Sequence, residues 1–245
     1  MHERLNHPAS SSAADPERAP SPDIPLLSAQ SGIYYAHQLA PRSTVLNTAD
    51  LVEIDGPLDA DLFTAALRRA VAEAETLAVR VSERDGVPVQ RVVPAEPVVH
   101  RLESTEAEAE AWMRQDLARP VDLAADGALM TQALFRIGEE RHLWYQRVHH
   151  IAVDAYALSL IGQRVAELYR ALAAGEPLPE GRFAPLSELT GQEATYLAGE
   201  EYTADRAFWT ARMAGASVSV PRRSPAPGDA PQGGPLHLVA DLPAA

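Results

Sequence analysis

The chain has 245 residues and carries 21 Lys and Arg against 34 Asp and Glu, a net charge of −13; it is 46% hydrophobic and 22% charged, and has no cysteine. That apolar share excludes a disordered protein, the acidic balance argues against a nucleic-acid partner, and the lack of Cys excludes disulfides, thiolate nucleophiles and Cys-bound zinc. No apolar run approaches the roughly 18 residues of a membrane span, and the N-terminus lacks the apolar core of a secretory signal, so a cytoplasmic protein with no membrane partner is expected.

Residues 1–23, rich in Ser, Ala, Pro and charge, read as a disordered leader, with the fold starting near Ile24. Residues 26–39 place Leu, Ile and Tyr at roughly helical spacing and predict a short helix. Residues 45–54 read as a strand, ended by the turn signal Asp55-Gly56-Pro57. Asp59 then opens a helix whose Leu62, Phe63, Ala66, Leu67, Ala70 and Val71 share one face. Residues 77–84 and 87–93 read as a hairpin turning at Asp85-Gly86. A helix over 105–118 is stopped by Pro120, its acidic run facing solvent. Residues 129–137 and 142–149 predict strands, and 155–173 a further helix with Gly175 as its stop. A Pro-containing loop leads to a long helical stretch over 187–213, then to a Pro/Gly/Ser-rich linker over 214–235. Residues 236–245 look like the start of a strand, which suggests the front part of something longer. The fold class expected is α+β, with helices packed on a mixed or antiparallel sheet. The aromatics Trp112, Trp144, Tyr145 and Trp209 have the spacing of core or interface residues rather than of a binding cage.

The informative segment runs over 144–158, WYQRVHHIAVDAYAL, with His149-His150, then Asp154 and Ala155, where a strand gives way to a helix. Adjacent strand residues point to opposite faces, so one His faces a pocket while the other packs behind it. That arrangement does not suit zinc, which wants three convergent ligands. Asp154 can fold back to brace the loop carrying His150, and it is placed to cap the following helix. A histidine held in this way accepts or steers a proton near neutral pH. With no Cys and no GxSxG elbow, the chemistry that fits is attack by a substrate nucleophile on an acyl donor, with His150 as base or positioner.

HHxxxDA closely resembles the HHxxxDG signature of condensation domains of non-ribosomal peptide synthetases, within the chloramphenicol acetyltransferase-like superfamily. Ser28-Ala29-Gln30 followed by Gly32-Ile33-Tyr34 is similar to that family's opening SxAQ motif. Residues 52–59 resemble its first strand and turn, and Glu75-Thr76-Leu77 its ExLRxxF segment. Trp144-Tyr145-Gln146-Arg147 looks like the siderophore-type condensation domains of enterobactin synthase, and Phe208-Trp209 like the aromatic pair between the two lobes. The resemblance implies an N-terminal sandwich lobe over 24–186, an inter-lobe helix over 187–213, and a second lobe beginning only in the last residues. It implies amide-bond formation between an acyl thioester and an aminoacyl acceptor. Both arrive on the 4′-phosphopantetheine arms of carrier domains, with an adenylation domain in the same polypeptide, and no cofactor is bound covalently by this chain. By the same resemblance His150 is the catalytic base or positioner, His149 is structural and Asp154 braces the loop.

Two departures bear on the site. Ala155 stands where the family has Gly, and Ala78 where it has the Arg that pairs with the motif Asp; Arg80, two residues on and on the same face of a strand, is the candidate substitute. The competing readings are a stand-alone acyltransferase of the superfamily, using coenzyme A or a carrier, and an inactive half-domain kept for interaction.

Overall fold

A computed structural model describes residues 21–93, 96–125 and 129–216. The expected terminal strand and most of the expected leader and linker lie outside these residues. The chain divides into two units, one up to Ala198 and one from Gly199.

Local chemistry fixes most element boundaries. Helix α1 spans Ser28–Leu39. Helix α2 (Ala60–Glu73) opens at Asp59, whose carboxylate accepts the amides of Asp61 and Leu62 at 3.0 and 3.1 Å. In α3 (Glu106–Leu117), Thr105 and Glu108 form a reciprocal capping box. Helix α4 (Ala155–Ala174) ends at Gly175, which adopts φ 66°, a left-handed conformation that glycine reaches without strain. Strands β3 (Val79–Arg84) and β4 (Val87–Val92) turn through Asp85 and Gly86, with φ 51° and 79°, the double positive φ that suits a tight hairpin.

The strands form two sheets. The smaller runs β1-β4-β3, where β1 is Ile24–Pro25, and is antiparallel throughout. The larger runs β2-β7-β6-β5, formed by Asn47–Asp55, Arg141–His149, Met130–Arg136 and Val99–Glu103. Its β5–β6 pair is parallel and its other pairs are antiparallel. Strand β7 is the centre of the unit. Its Trp144 and Val148 pack into the core shared with α2 and α4, and its Leu143 and Tyr145 pack against Ala109, Trp112 and Met113 of α3. Helices therefore cover both faces of this sheet, an α+β sandwich as expected.

Three sequence expectations change. Asp23, assigned to the leader, is anchored by Arg84 and Arg91 at 2.6 and 2.7 Å beside β1. The helical stretch over 187–213 is two helices, α5 (Leu186–Ala198) and α6 (Glu200–Met213), because Gly199 interrupts it and caps the second. Strand β5 was not anticipated, since residues 99–103 show no alternation and gain their strand form from pairing with β6. In the second unit α6 buries no residue, and Phe208 and Trp209, both 60% exposed, meet edge-to-face.

Candidate active site

Strand β7 ends at His149 and α4 begins at Ala155, so residues 150–154 form the connecting loop. Backbone hydrogen bonds set its path. The His149 amide donates to Leu129 O and the His150 amide to Leu46 O, both at 2.8 Å, and the Ala152 amide donates to His149 O at 3.0 Å.

The two histidines are opposite in environment. His149 is 1% exposed. Its Nδ1 accepts the Ile151 amide at 3.2 Å, which places the proton of the neutral ring on Nε2. Its ring meets that of His37 of α1 edge-to-face at 5.1 Å. Burial, followed by the positive fields of His37, His150 and Arg147, pushes the His149 pKa down to about 4. It is therefore uncharged at neutral pH. His150 is exposed. Its Nδ1 lies 2.7 Å from Val153 O. A carbonyl can only accept, so Nδ1 carries a proton, and of the two tautomers of the neutral ring this contact selects the one whose lone pair is on Nε2.

Asp154 is exposed, and its Oδ1 accepts the Ala157 amide at 2.7 Å, capping α4 as expected. Ala155 is the first residue of α4 and lies outside the positive-φ region. A side chain at this position therefore meets no backbone strain. Arg80 sits half-buried on β3, opposite Arg91. Ala78 belongs to a single 3₁₀ turn, Glu75–Ala78, that precedes the strand. The period-2 argument that put Ala78 and Arg80 on one strand face does not hold, because only Arg80 is in the strand.

His150 and Asp154 line an open groove of about 540 Å³ between α1, α4 and the chain around 182–189. Its walls include Leu27, Ile33, Ile161 and Phe183, with Gln30 among its polar groups and Glu75 and Arg182 adding charge. A second cavity, of about 440 Å³ beside His142, is lined by Arg101 and Arg136. Those cations face Asp61 and Glu103, and no residue of the histidine motif reaches it. Among the described residues no group of three His, Asp or Glu is gathered as a metal site would require. The rest of the WYQR segment is built into the core. Trp144 Nε1 donates to Gln132 Oε1 at 3.0 Å, and Arg147 pairs with the buried Asp116 at 2.7 Å. His37, which meets His149, Leu46, which accepts the His150 amide, and Gln90, which is linked to the loop through Gln30, were not legible as site residues, because tertiary packing alone brings them there.

Comparison with known proteins matches residues 21–234 to the family described as "Condensation domain". The chain is 42% identical over 208 residues to a dimodular nonribosomal peptide synthase of Bacillus subtilis (strain 168), covering 82% of this chain and 9% of that protein. It is 32% identical over 196 residues to enterobactin synthase component F of Shigella flexneri, covering 77% and 15%. Among solved structures, a starter condensation domain of rhizomide synthetase superposes with TM-score 0.75 at 34% identity, over 81% of this chain and 49% of that one. The first condensation domain of the calcium-dependent antibiotic synthetase gives TM-score 0.71 at 36% identity, over 79% and 48%. The chain thus spans about half the length of these solved chains and a small fraction of the curated relatives.

Proposed function

The chain belongs to the condensation-domain family, and from that premise we propose that it takes part in forming an amide bond between an acyl thioester and an aminoacyl thioester, each presented on the phosphopantetheine arm of a carrier domain. The observation that carries this reading is the state of His150: exposed at a mostly apolar groove, with Nδ1 committed to Val153 O and Nε2 left as the lone-pair nitrogen. In the reaction the acceptor amine attacks the donor carbonyl carbon, an N–C bond forms, the C–S bond breaks, and the amine proton passes to the departing thiolate. His150 Nε2 is the group placed to take or steer that proton. His149, buried and neutral, holds the loop and has no direct part in proton transfer.

In this reading residues 24–186 supply the N-terminal lobe and the helices that follow supply the connection to the second. Carrier and adenylation domains of the same polypeptide are the partners, and the cytoplasm is the compartment. No described helix is long and apolar enough to cross a membrane. A non-peptidyl acyl donor is the narrower reading; it rests on one similar protein, rhizomide synthetase, whose starter condensation domain is solved in complex with C8-CoA and Leu-SNAC.

The test uses the full-length protein with an acyl-loaded donor carrier and an aminoacyl-loaded acceptor carrier, followed by mass spectrometry of the acceptor arm. The acyl-aminoacyl product is expected only when both carriers are loaded. Acyl transfer from free acyl-coenzyme A to a soluble amine, with no carrier-dependent product, would instead establish a stand-alone acyltransferase.

A further inference from the structure

We infer that Gln30 and Gln90 act as a coupled pair of positioning residues that hold the His150 loop in its working shape; the inference rests on His150 as the reacting group. The two side chains are 6% and 0% exposed. They lie on different elements, Gln30 on α1 and Gln90 on β4. Gln30 Nε2 donates to Gln90 Oε1 at 3.0 Å, and Gln90 Nε2 donates back to Gln30 Oε1 at 2.7 Å. The remaining hydrogens are also used: Gln30 Nε2 donates to Ile151 O at 3.1 Å, and Gln90 Nε2 to Pro25 O at 3.0 Å. Gln30 Oε1 further accepts the Leu27 amide at 3.0 Å.

This closed arrangement fixes both amide orientations. Rotating Gln30 by half a turn would set its oxygen against Ile151 O and its NH₂ against the Leu27 N–H. A buried polar pair of this kind is costly unless every group is satisfied, and here every amide hydrogen finds an acceptor. Its one bond into the motif falls on Ile151, the residue after His150. The two peptide groups that flank the Ile151 Cα are thus both held, one through the Ile151 N–H by His149 Nδ1 and the next through the Ile151 C=O by Gln30. Release of the Ile151 C=O frees the turn that brings Val153 O to His150 Nδ1, the contact that selects the tautomer. The side-chain hydrogen bonds of Gln90 go to Gln30 and Pro25 rather than to the loop, so it acts by orienting Gln30.

The test compares Gln30→Met, Gln90→Met and the double variant in the full-length protein. Gln30→Met is expected to slow single-turnover condensation on the order of 10- to 100-fold through misplacement of the reacting group, with KM for the carriers changed less than about threefold. Gln90→Met is expected to slow it less. The double variant should be no slower than Gln30→Met, because the two residues act in series. A readout independent of turnover is the ¹⁵N ring shifts of His150 and amide exchange at Ile151 and Ala152. Both variants should lose the single Nδ1–H tautomer and exchange those amides at least about tenfold faster, with α2 amides unchanged. Wild-type ring shifts and exchange in both variants would overturn the inference. So would a uniform loss of protection including α2, which would make the pair ordinary core. Gln30→Glu, which keeps the Oε1 acceptor while removing the donor to Ile151, should resemble Gln30→Met, and wild-type behaviour there would also overturn it. Full turnover by His150→Ala would sink the catalytic role of His150 and leave the ring-free exchange readout to decide the positioning of the loop.

Discussion

His149 and His150 share a peptide bond and differ in nearly every physical respect. His150 is exposed and its tautomer is set by Val153 O, so replacing it costs little core packing. His150→Ala is expected to keep the wild-type melting temperature while losing on the order of 10²–10⁴ in rate. His149 is buried with its pKa lowered from 6.5 to about 4. The unfolded chain therefore binds a proton at that ring before the folded chain does. Stability is fully present above pH 6.5 and is lost as pH falls from there toward 4, by about 3 kcal/mol at most. His149→Gln should flatten that part of the stability curve, read as melting temperature against pH; an unchanged slope would show that His149 is not the group responsible. Strand periodicity alone establishes that the two rings part company, and the family resemblance selects His150 as the outward one. The neighbours that set their states were not legible, because His37 lies over 110 residues away on α1 and Val153 contributes only a backbone oxygen.

Helix α4 carries the site and depends on two side chains with different duties. Asp154 caps its start, so Asp154→Ala should cost about 1 kcal/mol and lower the melting temperature by about 2–4 °C; an unchanged temperature would refute the capping role. Arg164, 0% exposed, ties α4 to α2 through Glu73 at 2.7 and 3.0 Å and donates to Pro179 O at 2.9 Å. Burial pushes the Glu73 carboxyl up, but the guanidinium groups of Arg164 and Arg69 outweigh it and hold the pKa below the ordinary value. Arg164→Ala leaves that carboxylate half-paired and should cost about 3–5 kcal/mol, measured by chemical denaturation; a loss under about 1 kcal/mol would contradict the tie. Elements with their own signals were readable, as with the Asp59 and Asp154 caps and the Asp85-Gly86 turn. The strand β5 and the break at Gly199 were not, since one needs a partner strand and the other a choice between two helices of similar composition.

At the scale of the molecule, the α+β class with helices packed on a mixed or antiparallel sheet is legible in the sequence, and the structure adds that helices cover both faces of the larger sheet. The order β2-β7-β6-β5 brings Asn47 opposite His149 and so sets Leu46 to receive the His150 amide. Sequence spacing cannot yield this, because register between distant strands is fixed by packing. The same topology carries the loop to the groove edge, where Gln30 of α1 meets it. The measurement that bears most directly on this site is single-turnover condensation by the full-length protein, wild type against His150→Ala, with both carriers preloaded and product followed on the acceptor arm. Product from the wild type, and a rate lower by on the order of 10²–10⁴-fold from a folded His150→Ala protein, is the expected result. Equal single-turnover rates from the two proteins would contradict the assignment of His150 as the group that handles the amine proton.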